Sequence, residues 1–159
     1  DFFSLIPFSR RMAYVVGPDR LFVSEGADLE VKIFDSHGGL IGLLREDALP
    51  PRVSAADREA YVEAQAATPR PHPEDVPFPD RFGSYSQLLL SHEGELWAQR
   101  VPRPVDGLQH WVVFSKDGRE IRRVLLPDVR VGTVRDGRIV GIVSDTLGIE
   151  TVVVLDARQ

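Results

Sequence analysis

Short runs of alternating apolar and polar residues recur along the chain, and compact polar turns separate them. Runs of this kind that are rich in Val, Ile, Leu, Phe and Trp are typical of β-strands. A Gly-containing turn between two runs is typical of a β-hairpin, and the clearest cases are "KDG" at 116–118 and "RDG" at 135–137. The pattern therefore predicts a chain made of antiparallel hairpins.

These hairpins follow one another in a repeating unit of four strands. In each unit the third strand ends with an apolar residue, and a polar segment follows. These apolar residues are Phe34, Phe114 and Leu155. The step from Phe114 to Leu155 is 41 residues, a length typical of one four-stranded blade of a β-propeller. The predicted fold class is therefore all-β, with about three blades of four antiparallel strands.

The repeating unit also predicts where the strands lie. They are expected at about 12–16, 20–25, 29–35 and 40–45 in the first blade, at about 85–90, 95–101, 109–115 and 120–126 in the second, and at about 129–134, 138–144 and 149–155 in the third. The third blade lacks a fourth strand. The N-terminal "FFSLIPF" is predicted to be the outer strand of a further blade, whose other strands would precede Asp1.

Residues 46–83 form an insertion of different composition between the first and second blades. Ser54 is a candidate N-cap with Asp57 three residues later, as in a capping box. Apolar positions then recur at helical spacing, which predicts a helix over 54–66. The predicted apolar face of this helix consists of Ala56, Ala60, Tyr61 and Ala64.

A proline-rich strap follows the predicted helix. In "TPRPHPEDVPFPD" five of thirteen residues are proline, which prevents further helix and excludes a central strand. We expect an extended segment that lies over the surface, with Val76, Phe78 and Phe82 as its anchors.

Composition restricts the partners more than it restricts the fold. The formal net charge of −5 argues against nucleic acid as a partner, because binding to a phosphate backbone needs a basic face. Apolar runs such as "TVVVL" at 151–155 are far shorter than the roughly 18 residues of a membrane-spanning helix. The chain has no cysteine, so it can form neither a disulfide nor a thiolate metal site.

Two stretches, "VPFPDRFGSYSQLLLSHEGELWAQRV" at 76–101 and "HWVVFSKDGREIRRVLLP" at 110–127, resemble bacterial six-bladed β-propeller proteins of the NHL-like or TolB-like type. The resemblance spans nearly the whole chain. It implies that residues 1–159 form a single partial propeller domain, equivalent to the C-terminal half of a six-bladed propeller. It also implies an exported or periplasmic protein, or a lipoprotein, whose motifs specify a fold rather than an activity.

The start of the chain gives no targeting signal. It begins at Asp1 rather than Met, and its first residues lack the basic flank and the cleavage pattern of a signal peptide. We therefore expect a chain that has been cut from a longer one or processed.

Blade topology places the tight hairpins on one side and the longer loops on the other. Long loops on a rigid scaffold are where binding residues concentrate. A ligand site is therefore expected on the long-loop side, where the candidate binding residues are Arg100, Arg103, Asp145, His72 and Arg81. The alternative is that these residues are solvated loop charges.

No catalytic residues, metal ligands or cofactor are predicted. The four histidines, His37, His72, His92 and His110, show no metal-binding spacing, and no nucleophile elbow or phosphate-binding glycine motif occurs. His37 and His92 are expected to be exposed in turns, and His110 is expected to be packed. Trp97 and Trp111 are expected to pack between blades, with a stacking platform for sugars as the alternative.

Two classes of function remain. The first is a non-catalytic binding or scaffold propeller of the bacterial cell envelope, whose partner is an unidentified small molecule or protein. The second is a propeller enzyme, a lyase or hydrolase that acts on a small molecule or glycan. Open blade edges also predict self-association.

Overall fold

The computed structural model describes residues 6–66 and 77–157. Within these residues the chain forms three antiparallel sheets of four, four and three strands, together with one helix. Each sheet is a meander, in which every strand pairs with the next strand along the chain. The prediction of a mainly β fold with one helical insertion is confirmed.

The strand bounds are as follows. The first sheet contains β1 (Ala13–Val16), β2 (Arg20–Ser24), β3 (Glu30–Asp35) and β4 (Leu40–Arg45). The middle sheet contains β5 (Tyr85–Leu90), β6 (Leu96–Arg100), β7 (Gln109–Phe114) and β8 (Glu120–Leu126). The third sheet contains β9 (Arg130–Arg135), β10 (Arg138–Ser144) and β11 (Glu150–Asp156). These bounds agree with the predicted strands to within about one residue at most ends.

The N-terminal segment is a correction. Residues 1–5 lie outside the described part, and the next three residues form a turn rather than the predicted strand. Pro7 cannot donate a ladder hydrogen bond, and Phe8 has a φ of 59°, in the left-handed region. The turn is closed by a hydrogen bond of 3.3 Å from the amide of Ser9 to the carbonyl of Ile6.

The hairpin turns follow the glycine pattern of the sequence. Between β9 and β10, Asp136 and Gly137 have φ values of 53° and 71°. Two successive positive φ values are the signature of a type I′ turn, whose twist matches that of the flanking strands. The "RDG" motif therefore forms the tight hairpin that it predicts.

The middle sheet is covered on both faces. One face packs against the first sheet, through a buried cluster that includes Phe114, Leu96 and Val31. The opposite face packs against the third sheet, through a cluster that includes Trp97 and Trp111. The three sheets are therefore successive layers. The predicted burial of Trp97 and Trp111 is confirmed, and Phe114 is buried as well.

The same burial excludes the sugar platform considered for the two tryptophans. Their rings pack edge to face, with centroids 6.3 Å apart, and both are almost fully buried. A sugar therefore cannot stack on either ring. The indole N–H of Trp97 donates to Glu95, and that of Trp111 donates to Gln109.

The first strands of the three sheets lie side by side. β1 contacts β5, and β5 contacts β9. Backbone hydrogen bonds connect neighbouring sheets near these strands, from the amide of Ser84 to the carbonyl of Gly26 (3.0 Å) and from the amide of His92 to the carbonyl of Val134 (3.0 Å).

Helix α1 (Ala55–Ala66) has the predicted capping box. The hydroxyl of Ser54 accepts a hydrogen bond of 3.2 Å from the amide of Asp57, and the Asp57 carboxylate accepts one of 3.0 Å from the amide of Ser54. The predicted apolar face is wrong in part, because Ala56 and Ala64 are exposed. The helix docks instead through Asp57, which is fully buried.

Aromatic side chains hold the strap against the helix. The ring of Phe78 lies 5.7 Å from that of Tyr61 and 5.8 Å from that of Phe8. Phe82 is buried, with its ring 4.6 Å from that of Phe8. Two of the predicted anchors are therefore confirmed, and the third, Val76, lies outside the described residues.

Across residues 6–66 and 77–157, no helix combines the length and the hydrophobicity needed to cross a membrane.

Candidate functional site

A pocket of about 160 Å³ lies on the long-loop side, at the end of β6. The first sheet, the insertion and the loop after β6 all contribute to its walls. Its apolar part consists of Leu29, Pro51, Phe82 and Val101, and its charged or titratable part consists of Arg100, Arg103, Asp106 and His110. We refer to it below as the loop-side pocket.

The first of the two arginines is held by a buried carboxylate. Arg100 donates from Nε to Oε1 of Glu46 over 3.2 Å, and its Nη2 pairs with Oε2. The Glu46 side chain is fully buried, and the hydroxyl of Tyr85 donates to its Oε1 over 2.8 Å. Nη2 of Arg123 reaches the other oxygen over 3.3 Å. A buried carboxylate needs hydrogen bonds and opposite charges in place of the water that it loses. Three side chains supply them to Glu46.

The surroundings of Glu46 fix the protonation of its neighbours. Burial, followed by the nearby Glu46 carboxylate, raises the pKa of Tyr85 well above its ordinary value, so the phenol stays a donor. A hydrogen bond of 2.7 Å from Arg123 to Glu120 lowers the pKa of Glu120 and raises that of Arg123. Tyr85 is therefore neutral, and Glu120 and Arg123 are charged, at neutral pH.

The second arginine is held by the helix. Nη2 of Arg103 donates to Oδ2 of Asp57 over 3.1 Å, and the guanidinium lies 5.7 Å from the centre of the Phe82 ring. Burial alone would raise the pKa of Asp57, but hydrogen bonds from Ser54 and Arg103 outweigh it and lower that pKa. Asp57 therefore remains a carboxylate, and it anchors both the helix N-terminus and Arg103.

Two buried polar atoms of this ion pair have no partner among the described residues. They are Oδ1 of Asp57 and Nε of Arg103. A buried donor and a buried acceptor without partners cost free energy unless water or a ligand bonds to them.

A histidine and a carboxylate lie at the opening of the pocket. Nε2 of His110 is 3.4 Å from Oδ2 of Asp106, and Nη1 of Arg103 is 3.8 Å from the same oxygen. His110 was expected to be packed, but 44% of its side chain is exposed. It is the second residue of β7 and lines the pocket. His37 and His92 are exposed, as predicted.

Of the five predicted binding residues, the structure brings Arg100 and Arg103 together. Arg81 does not line the pocket, because its Nη1 donates to the carbonyl of Pro50 over 2.7 Å and so ties the strap to the segment before the helix. Asp145 lies in the turn between β10 and β11, where Oδ1 accepts the amides of Leu147 (2.8 Å) and Ile149 (2.9 Å). His72 lies outside the described residues.

Sequence reasoning missed the residues that hold the arginines in place. Glu46 follows β4 directly and resembles an ordinary charged end of a strand, and Tyr85 resembles a core residue of β5. Their contact joins positions 39 apart, so no local signal reveals it. Asp57 was identified only as a capping residue, although its burial and its bond to Arg103 make it part of the site.

The described residues contain no group of three or more His, Asp or Glu side chains placed to hold a metal ion. The two buried carboxylates, Glu46 and Asp57, are each bonded to arginine.

The opposite side of the molecule also carries a groove, of about 470 Å³, between the tight hairpins of the first and middle sheets. Its floor is apolar and includes Phe22, Ile33 and Leu90. Charged residues of both signs, Arg20, Asp19, Lys116 and Asp117, lie at its rim. This groove lies in the gap between two sheets, on the side opposite the long loops where a ligand site is expected.

Comparison with models of known protein families gives no match, and comparison with curated proteins gives no match either.

Proposed function

We propose that the chain is a non-catalytic binding or scaffold module of the β-propeller type, and that its loop-side pocket holds a small ligand carrying a carboxylate. The observation that carries this proposal is the pair of arginines, Arg100 and Arg103, fixed in one pocket by buried acids. Pre-organised guanidinium groups bind carboxylates well, because they present donors in a rigid fork.

The blade arrangement is supported by the layering of the sheets. Each sheet is a meander, and the first strands β1, β5 and β9 lie side by side. Propeller blades meet through their innermost strands and pack face to face, as these sheets do. The resemblance to NHL-like and TolB-like propellers supports the same reading, and with it a place in the bacterial cell envelope.

The class of ligand follows from the arginine N–H group that the buried acids leave unbonded. Arg100 uses Nε and Nη2 on Glu46, and no described residue accepts a hydrogen bond from its Nη1. Phe82 and Leu29 add apolar surface beside this donor. A volume of about 160 Å³ suits a small molecule with a short apolar body rather than a polymer.

The alternative, a propeller lyase or hydrolase, would depend on His110 and Asp106, whose contact of 3.4 Å resembles an acid–base pair. Nucleophilic catalysis of the Ser–His or Cys–His type needs a hydroxyl or thiol bonded to the base, and none of the described residues supplies one to His110. Glycoside hydrolysis needs two free carboxyls, whereas Asp57 is bonded to Arg103. The binding function is therefore favoured.

An NMR titration with acetate as the probe tests the proposal. We expect millimolar acetate to shift the Nε–Hε signals of Arg100 and Arg103, and Arg103→Lys to reduce the effect. Arg122→Lys is the matched control, because Arg122 is also about one third exposed, ion-paired and placed over an aromatic ring, but lies outside the pocket.

Chloride at equal concentration separates a carboxylate site from a general effect of ionic strength. Equal shifts with chloride, or shifts that Arg103→Lys leaves intact, would contradict the proposed site. Turnover of a screened ester or glycoside that disappears in His110→Gln would favour the enzyme instead.

A further inference from the structure

The loop-side pocket presents charges of both signs. Arg100 and Arg103 line it from the end of β6 and from the loop that follows. Asp106 lies in the same loop, where its Oδ2 is 3.8 Å from Nη1 of Arg103 and 3.4 Å from Nε2 of His110. A donor for an anionic group and an acceptor for a cationic group therefore lie next to each other in this pocket.

The carboxylate of Asp106 is only partly engaged by these neighbours. Hydrogen bonds between charged groups are normally about 2.7 to 2.9 Å long, and both contacts of its Oδ2 are longer. The side chain is also 28% exposed. An ionised carboxylate can accept about four hydrogen bonds, so Asp106 retains the capacity to bind a further donor.

The ion pairs around the pocket leave Asp106 as an excess negative charge. Three arginines are balanced by three acids: Arg100 by Glu46, Arg103 by Asp57, and Arg123 by Glu120. Within the described residues, Asp106 has ion-pair contacts with Arg103, which Asp57 already balances, and with His110. When His110 is neutral, a ligand that brings only a carboxylate therefore adds a second negative charge beside Asp106, and like charges repel.

We propose that the ligand of the loop-side pocket is a zwitterion, a small α-amino acid, with its carboxylate on Arg100 and Arg103 and its ammonium group on Asp106. The inference rests on the proposed carboxylate site and adds the second charge of the ligand. An ammonium group carries three N–H donors, and its positive charge balances that of Asp106. Recognition then depends on both ends of the ligand.

The spacing of the protein charges favours an α-amino acid over other amino acids. Nη1 of Arg103 and Oδ2 of Asp106 are only 3.8 Å apart, so the two charged groups of the ligand must lie close together. In an α-amino acid a single carbon separates the carboxylate from the ammonium group. In 4-aminobutyrate a longer chain separates them, and it has to fold back on itself to reach both partners.

The volume and the apolar wall of the pocket set the size of the ligand. Liquid water occupies about 30 Å³ per molecule, so a pocket of about 160 Å³ has room for about five groups of that size. Alanine is about this large. Leu29, Pro51 and Phe82 supply apolar surface, which suits the methyl group of alanine better than a polar side chain.

A titration with matched ligands tests the inference, with the methyl NMR signals of Leu29 and Val101 in the pocket wall as the readout. Propionate is alanine without the ammonium group, and ethylamine is alanine without the carboxylate. At a pH of about 8, where imidazole groups are generally neutral, we expect alanine to bind about fivefold more tightly than propionate, as a partly exposed ion pair contributes. Ethylamine and 4-aminobutyrate should both bind more weakly than alanine.

Asp106→Asn should move the two main ligands in opposite directions. It removes the partner of the ammonium group, so alanine should bind about fivefold more weakly. It also removes the repulsion, so propionate should bind more tightly. Asp136→Asn is the matched control, because Asp136 also lies 3.6 Å from an arginine, Arg135, but in a hairpin outside the pocket. It should leave both affinities unchanged.

The outcomes separate this inference from the proposed function. Propionate that binds as tightly as alanine, or Asp106→Asn that weakens both ligands alike, would overturn the zwitterion and leave the carboxylate site standing. Failure of both propionate and alanine to shift the methyl signals would overturn the carboxylate site and the zwitterion together.

Discussion

The hydroxyl of Tyr85 donates a hydrogen bond of 2.8 Å to Oε1 of Glu46, which lies 39 residues earlier in the chain. This contact joins the first strand of the middle sheet to the segment that leaves the first sheet. Arg100 and Arg123 bind the same carboxylate from two other strands of the middle sheet. One buried acid thus fixes the end of the first sheet, and with it the wall of the loop-side pocket.

Loss of this acid should destabilise the protein strongly. Glu46→Ala leaves Tyr85 and Arg100 without their acceptor, and removing one member of a buried ion pair costs about 3 to 5 kcal/mol. Glu46→Gln keeps an acceptor and should cost less. Urea denaturation measures both effects. Glu30→Ala removes an ion pair with the exposed Arg45 and should cost much less, because solvent screens such a pair. An equally small loss for Glu46→Ala would contradict the role given to Glu46.

Acid should weaken the attachment of the helix. The pKa of Asp57 lies below its ordinary value in the folded chain, so its ionisation stabilises the fold above a pH of about 4. That stabilisation is lost as the pH falls through the folded pKa. Ser54→Ala removes a donor to Asp57 and should move the loss to higher pH, besides costing about 1 kcal/mol as a lost cap.

The free energy of unfolding, followed between neutral and acidic pH, measures this effect. Asp57→Asn should flatten the acid limb of the profile relative to the unaltered chain, since the titrating group is gone. An acid limb of unchanged slope in Asp57→Asn would show that Asp57 does not contribute to it.

The two aromatic residues at opposite faces of the middle sheet should both be essential to stability. Trp97 and Phe114 are almost fully buried, and truncation of such side chains to Ala costs about 3 to 5 kcal/mol. Leu147→Ala, at a side chain that is 83% exposed, is the control and should change stability by less than about 0.5 kcal/mol. Unchanged melting temperatures for both aromatic variants would refute the layering of the sheets.

The hairpin at Gly118 should tolerate no side chain. Its φ is 80°, and a Cβ there would lie 2.6 Å from Cδ2 of Leu44, so Gly118→Ala introduces both backbone strain and a clash. Gly107 has a φ of 62° with open space around it, and Gly107→Ala should cost only the strain of about 1 to 2 kcal/mol. Thermal denaturation compares the two variants, and an equal loss would mean that the contact with Leu44 adds nothing.

The sequence predicts the strands well because their signals are local. Alternation of side chains and glycine turns such as 135–137 depend on a few neighbouring residues, so the strand bounds agree closely with the structure. The site depends instead on contacts between distant segments. Arg100 and Arg103 could be proposed because they lie on the long-loop side, at the end of β6 and in the loop after it. Glu46 and Tyr85 could not, because their burial follows from the way the sheets pack. Arg81 and Asp145 have suitable loop positions, yet local hydrogen bonds engage both.

The packing of the three sheets as successive layers underlies the proposed function. The most direct test is a set of NMR nuclear Overhauser effects from two side chains of the middle sheet. The indole of Trp97 should contact methyl groups of the third sheet, such as those of Val134 and Ile139, and the ring of Phe114 should contact methyl groups of the first sheet, such as those of Val31 and Leu44. If both aromatic residues instead contact methyl groups of the same neighbouring sheet, the middle sheet does not lie between the other two and the layered arrangement is wrong.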